Sequence, residues 1–206
     1  ANREAARLFH TWLYGPEGKV GLDYYHSRGY TDHTIRRFGL GFAPDSYQTL
    51  RDALRKKGFN DEELVAAFLA KRSSRSPGTG SLYDIFRNRV MIPIIDIRGN
   101  VIAFGGRVLD DSKPKYLNSS DTLVFKKTNN LFALNLCEGY MDVIALHQAG
   151  FGNAVAALGT SFTADHARLV ARYADEATLI FDADSAGQKG TQRAISLLRS
   201  NGVHIR

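Results

Sequence analysis

The chain of 206 residues contains one cysteine, Cys137. A single thiol closes no internal disulfide and builds no cysteine-rich zinc site, and a reducing, cytoplasmic setting is the expectation. Uncharged apolar runs are all far shorter than the ~20 residues that cross a bilayer, so no membrane partner is expected. The opening ANREAARLFH lacks the continuous apolar core of a secretory signal. Internal repeats and low-complexity tracts are also missing. Gly105 and Gly106 lie outside a strand–loop–helix context, which excludes a phosphate-binding P-loop there.

What is present is the composition of a globular protein, 44% hydrophobic and 23% charged, long enough for one large domain or two small ones. The charge is uneven. Residues 1–136 carry 21 Lys/Arg against 14 Asp/Glu, whereas residues 137–206 carry 6 against 7. A basic front and a locally acidic back suit a polyanion partner and a cation-binding centre.

Residues 1–70 have helical spacing, with Ala5, Leu8, Phe9, Trp12 and Leu13 on one stripe, Gly29 and Gly58 as stops and Asn60 as a cap. TDHTIRRFGLGFAPD predicts a short helix and then an extended turn into Pro44. The segment 71–81 is a basic loop, and FRNRVMIPIIDIRGNVIAFGGRVL predicts two strands joined at IRGN. Residues 110–130 predict a long surface connection with short extended pieces. From 137 onward strands and helices alternate: a helix ending near Gly150, the strand NAVAAL, a helix capped by Thr163, the buried strand ATLIF, a helix ending at Gly202, and VHIR. That alternation predicts a parallel sheet covered on both faces. The fold class is therefore α/β, with a mixed α+β basic subdomain over 1–128 and a Rossmann-like parallel subdomain over 129–206.

The chemistry concentrates in FDADSAG and CEGYMD. Asp182 and Asp184 follow an apolar strand two residues apart, which puts both carboxylates on one face if the strand continues. Ligands gather at the carboxyl ends of strands in open α/β sheets, and paired carboxylates there call for a cation, Mg²⁺ or Mn²⁺ by their hard oxygens. Gly187 and Gly190 are expected to let the backbone turn tightly into the helix. Glu138 also follows an apolar run ahead of a helix, and Asp142 lies one turn further on, as a helix-start charge or a fourth ligand. Within residues 71–128 there are 11 Lys/Arg against 5 Asp/Glu. Arg87 and Arg89 should share a face by alternation, and Lys115 beside Tyr116 pairs a phosphate contact with a stacking ring. His147, His166 and Cys137 are expected to be structural.

EGYMD, ALGTSFT and FDADSAG resemble the Toprim fold, in which a glutamate and a later Asp-x-Asp share a divalent-metal site. RNRVMIPIIDIRGNVIAFGGRVL and KPKYLNSSDTLVFKK resemble the RNA polymerase domain of bacterial DNA primases of the DnaG type, and the resemblance covers nearly the whole chain. It implies that Glu138 is catalytic and that Asp182, Asp184, Asp142 and Glu138 hold Mg²⁺ or Mn²⁺. It also implies that Arg107, Lys115, Tyr116, Asn118 and Lys127 fall on groove and nucleotide-binding motifs, joined by Arg87, Arg89 and Arg28. The implied partners are a single-stranded DNA template, ribonucleoside triphosphates, the RNA primer and a replicative helicase, at the replication fork.

Three parts of the family pattern lie outside this sequence: a zinc-ribbon domain that would hold zinc, a later acidic motif and a helicase-binding region. The stretch between Asn129 and Glu138 is short for the strand that should end at the glutamate. The rival readings are another Toprim enzyme, a topoisomerase or nuclease, and a non-catalytic nucleic-acid-binding module.

Overall fold

Ala5, Phe9 and Leu13 recur four apart, and helix α1 (Asn2–Leu13) buries all three. Gly41 shows how closely it packs: a Cβ there would lie 2.6 Å from the Cβ of Phe9, so only glycine admits the helix against the sheet. The computed structural model describes residues 1–73, 82–96, 98–129, 131–132, 136–137, 139–158 and 161–206. They form two compact units, Ala1–Phe125 and Lys126–Arg206. Among the described residues, no helix is long and apolar enough to cross a membrane.

In the first unit, α2 (Lys19–Ser27) and α3 (Asp32–Arg37) follow α1. Thr31 caps α3 by accepting the Thr34 N–H at 3.2 Å. The extended turn expected before Pro44 is a strand, β1 (Gly41–Ala43), paired antiparallel with β4 (Arg89–Ile95). Helix α4 (Thr49–Lys56) has no cap of its own at Gln48. Asp84 of strand β3 (Leu82–Asp84) supplies one, its two oxygens taking the Leu50 and Arg51 N–H groups at 2.8 and 2.9 Å. Burial pushes the Asp84 carboxyl pKa up while those N–H bonds oppose it.

Asn60 opens α5 (Asp61–Ala66) with a full capping box to Glu63. The helix ends sooner than its pattern predicts. Phe68 adopts φ 55° and Ala70 begins β2 (Ala70–Arg72), which pairs with β3. Residues 71–72 of the expected loop are thus strand, while 74–81 lie outside the described residues.

β4, β5 (Val101–Val108) and β6 (Tyr116–Asn118) complete an antiparallel sheet of order β1-β4-β5-β6. Pro93 sits in β4 without disrupting it because β1 pairs only with Arg89–Met91, so no ladder donor is needed on that side. Asp96 ties the β4–β5 turn by accepting from Arg98 N–H, Asn100 N–H and the Asn100 side chain. Phe9, Phe86 and Phe104 meet edge to face at centroid separations of 5.3 to 6.5 Å at the centre of the core. Such pairs contribute about 0.5–1.5 kcal/mol each beyond area burial.

The second unit holds β7 (Leu131–Phe132), β8 (Leu136–Cys137), α6 (Tyr140–Gln148), β9 (Val155–Ala157), α7 (Ala164–Ala171), β10 (Glu176–Ala177), α8 (Ser185–Arg199) and β11 (His204–Ile205). The short stretch before Glu138 makes two strands, β7 antiparallel and β8 parallel to β9 on either side of it. The parallel pair β10–β11 forms separately among the described residues, so the sheet pairing is mixed where an all-parallel one was expected.

The strand ATLIF needs correction too. Regular pairing stops at Ala177. Beyond it Leu179 and Phe181 pack on the core of α7 and α8, while Ile180 is 47% exposed. The segment is half-buried with period two, not covered on both faces. His166 joins the expected cap of α7: its Nδ1 accepts the Thr163 N–H at 3.2 Å. Nε2 therefore carries the proton and donates to the Lys127 carbonyl at 3.0 Å. Thr163 donates to the Thr128 carbonyl, so residues 127–128 are tied to this unit.

Candidate nucleic-acid interface and carboxylate site

Two sets of arginines in the first unit contrast. Arg7, Arg36, Arg51, Arg55 and Arg72 pair with carboxylates within 4 Å. Arg28, Arg87, Arg89 and Arg107 make no such ion pair among the described residues; they lie against tyrosine rings or backbone carbonyls instead. A guanidinium held over a ring stays ordered without being neutralised, which suits a phosphate ligand.

Two arrays result. In the first, Arg28 follows Tyr24 by four residues at the end of α2. Its Nε donates to the Tyr24 hydroxyl at 3.1 Å, and its Cζ is 5.4 Å from the ring centre. Arg107 of β5 lies over the same ring at 4.7 Å and 5.9 Å from Tyr116, its partner across the β5–β6 ladder. Tyr116 is 42% exposed, Lys115 is exposed beside it, and Asn118 pairs with Gly105. In the second array, Arg87 lies 4.2 Å over Tyr47 and 5.6 Å from Tyr83, and its Nη1 donates to the Asp84 carbonyl. Tyr47 is 61% exposed. A cleft of about 520 Å³ opens beside this array, lined by Phe68, Tyr83, Ile85, Arg87 and Leu117 among others.

Arg87 and Arg89 do not share a face. Asn88 between them takes φ 46°, which breaks strand alternation. Arg89 turns inward to 7% exposure and donates to the Pro114 carbonyl at 3.0 Å, with longer contacts to the Gly106 and Lys115 carbonyls. Burial, and next the Arg87 charge, lower its pKa. Gly106 leaves room for its stem: a Cβ there would sit 3.1 Å from Arg89 Cδ. Arg89 therefore braces the backbone that carries Lys115 and Tyr116. Lys127 belongs to the second unit, where its carbonyl is held by His166.

Tyr24, Tyr47 and Tyr83 were missed in the sequence. Tyr24 and Arg28 carry a readable signal, since four residues apart on a helix makes them neighbours. Nothing local marks Tyr47.

In the second unit Asp182 and Asp184 are both exposed. Asp184 is the N-cap of α8, its Oδ1 accepting the Gly187 N–H at 2.7 Å. Gly187 is needed for close approach rather than for turning: a Cβ there would fall 2.1 Å from the Asp182 carbonyl oxygen. Gly190 similarly meets the Phe181 ring, at 3.3 Å from its would-be Cβ. The two glycines press the first turns of α8 onto the segment bearing Asp182. Asp142 is exposed in the first turn of α6, and a Cβ at Gly139 would stand 3.4 Å from its Oδ2. Glu138 lies outside the described residues; it follows Cys137, which pairs with Ala156. Among the described residues, no three Asp, Glu, His or Cys side chains are gathered closely enough to hold a metal ion.

The βα unit from residue 135 matches the family described as Toprim-like over residues 135–206. The part ahead of it matches DNA primase catalytic core, N-terminal domain, over residues 8–138. The chain belongs to the DNA primase catalytic core family. It is 45% identical over 217 residues to a DNA primase of Clostridium acetobutylicum, a match covering all of this chain and 35% of that protein. The chain thus spans about a third of the length of the curated relatives it matches. Among solved structures, a DNA primase domain from Pseudomonas aeruginosa has TM-score 0.89 and 40% identity, covering 99% of this chain and 68% of that one. A DnaG primase catalytic domain bound to single-stranded DNA has TM-score 0.87 and 35% identity, covering 100% and 68%.

Proposed function

We propose that this chain is the catalytic core of a bacterial DNA primase, which begins short RNA primers on single-stranded DNA at the replication fork in the cytoplasm. The observation that carries the reading is the set of ring-held, unneutralised arginines on a chain of this family that also bears the Asp-x-Asp fixed by Gly187. Arg28, Arg87, Arg107 and Lys115 hold template and triphosphate phosphates, Tyr47 and Tyr116 offer faces to bases, and Asn118 and Lys127 assist with the nucleotide.

The reaction joins a primer 3′-hydroxyl to the α-phosphate of a ribonucleoside triphosphate. The hydroxyl loses its proton, a phosphodiester forms, and pyrophosphate leaves. Asp182, Asp184, Asp142 and Glu138 fit Mg²⁺ or Mn²⁺ by donor chemistry: all offer hard carboxylate oxygens, and Asp184 keeps one oxygen beyond its cap bond. Such an ion, when bound, neutralises charge on the triphosphate. Glu138 is assigned by the family resemblance either to the hydroxyl proton or to the ion. Helicase contact and zinc belong to segments beyond these residues. The test is incubation with a single-stranded template, labelled ribonucleotides and Mg²⁺ or Mn²⁺. Short template-dependent RNA is the expected product; cleaved template without RNA would replace primase with a nuclease of the Toprim class.

A further inference from the structure

We infer that Tyr24 is a positioning residue that holds Arg28 and Arg107 as a spaced pair of phosphate-binding cations; this rests on reading the first unit as a template groove. Both guanidinium carbons lie within 5.4 Å of one ring centre, although one comes from the C-cap of α2 and the other from β5. The two charges are therefore at most about one Debye length apart and act on a strand as one site.

The ring accounts for more than contact. Arg107 donates Nη1 to the Val108 carbonyl at 3.1 Å, but its Nε is buried with no hydrogen-bond partner. The faces of Tyr24 and Tyr116 are its other neighbours, and they hold a cation without consuming its donors. Arg28 is exposed, and its bond to the Tyr24 hydroxyl fixes a long side chain that would otherwise sample many rotamers. A carboxylate at position 24 would order both arginines equally well but would cancel charge. Tyrosine orders them and leaves both positive. Phenylalanine would keep the ring beside both guanidiniums but remove the hydroxyl that orients Arg28.

The test is affinity for a fluorescent single-stranded oligonucleotide across a salt series, for wild type, Tyr24→Phe, Tyr24→Leu, Arg28→Ala, Arg107→Ala and the paired variants, each checked for its melting temperature. Tyr24→Leu should weaken binding about tenfold and flatten the slope of log K against log salt by roughly 0.7–1.4, the loss of one to two phosphate contacts. Tyr24→Phe should keep the Arg107 share and cost no more than Arg28→Ala, and combining those two should cost little more than Arg28→Ala alone. Wild-type affinity and slope in Tyr24→Leu, with losses in both arginine variants, would overturn the positioning role alone. Full additivity of Tyr24→Phe with Arg28→Ala would also overturn it. Unchanged binding in Arg28→Ala and Arg107→Ala would overturn the groove reading and this inference with it.

Discussion

Asn88 separates two arginines that the sequence makes look alike. Its left-handed backbone sends Arg87 to tyrosine rings and Arg89 into the protein. Their alanine variants should therefore fail differently. Arg87→Ala should flatten the salt dependence of single-strand binding by about 0.7, with about 1 kcal/mol or less lost from stability. Arg89→Ala should lose about 2–3 kcal/mol in urea unfolding, because buried carbonyls of the β5–β6 region lose a charged donor. Equal stability losses would contradict the assignment. Gly187→Ala offers a second residue-scale test. Its Cβ would collide with the Asp182 carbonyl, so a loss of about 1–3 kcal/mol is expected, accompanied by reduced catalysis. Sequence reading found these glycines but gave them the wrong reason, since a close backbone approach leaves no mark in periodicity.

Elements were legible where a local device marks them. Asn60 and Thr163 cap their helices as expected, and the strands around IRGN form the expected hairpin. Two-residue strands such as β7, β8 and β10 have no room for a period, and a cap supplied from a distant strand, Asp84 on α4, has no local signature. The β4–β5 turn yields a pH prediction. Hydrogen bonds, first that from Asn100 N–H, lower the Asp96 pKa below its ordinary value. A folded pKa below the unfolded one stabilises the protein above the unfolded value, near 3.9, and that stabilisation is lost as pH falls through the folded pKa. Wild type should thus melt above Asp96→Asn at neutral pH, with the gap closing in acid below about pH 4. A gap that persists to pH 2 would contradict the role of the charge.

At the scale of the molecule, the charge division read from composition falls near the boundary between two units, one bearing ring-held arginines and the other the Asp-x-Asp on a Toprim-like βα frame. Motifs in order along the chain made the family legible; the tyrosines beside Arg28, Arg87 and Arg107 and the inward turn of Arg89 needed three dimensions. The most direct test of the account separates chemistry from binding. Asp182→Asn and Glu138→Gln should each cut template-dependent RNA synthesis by at least about a hundredfold while single-stranded DNA affinity stays near that of wild type. Primer synthesis at wild-type rates in either variant would contradict the proposed site.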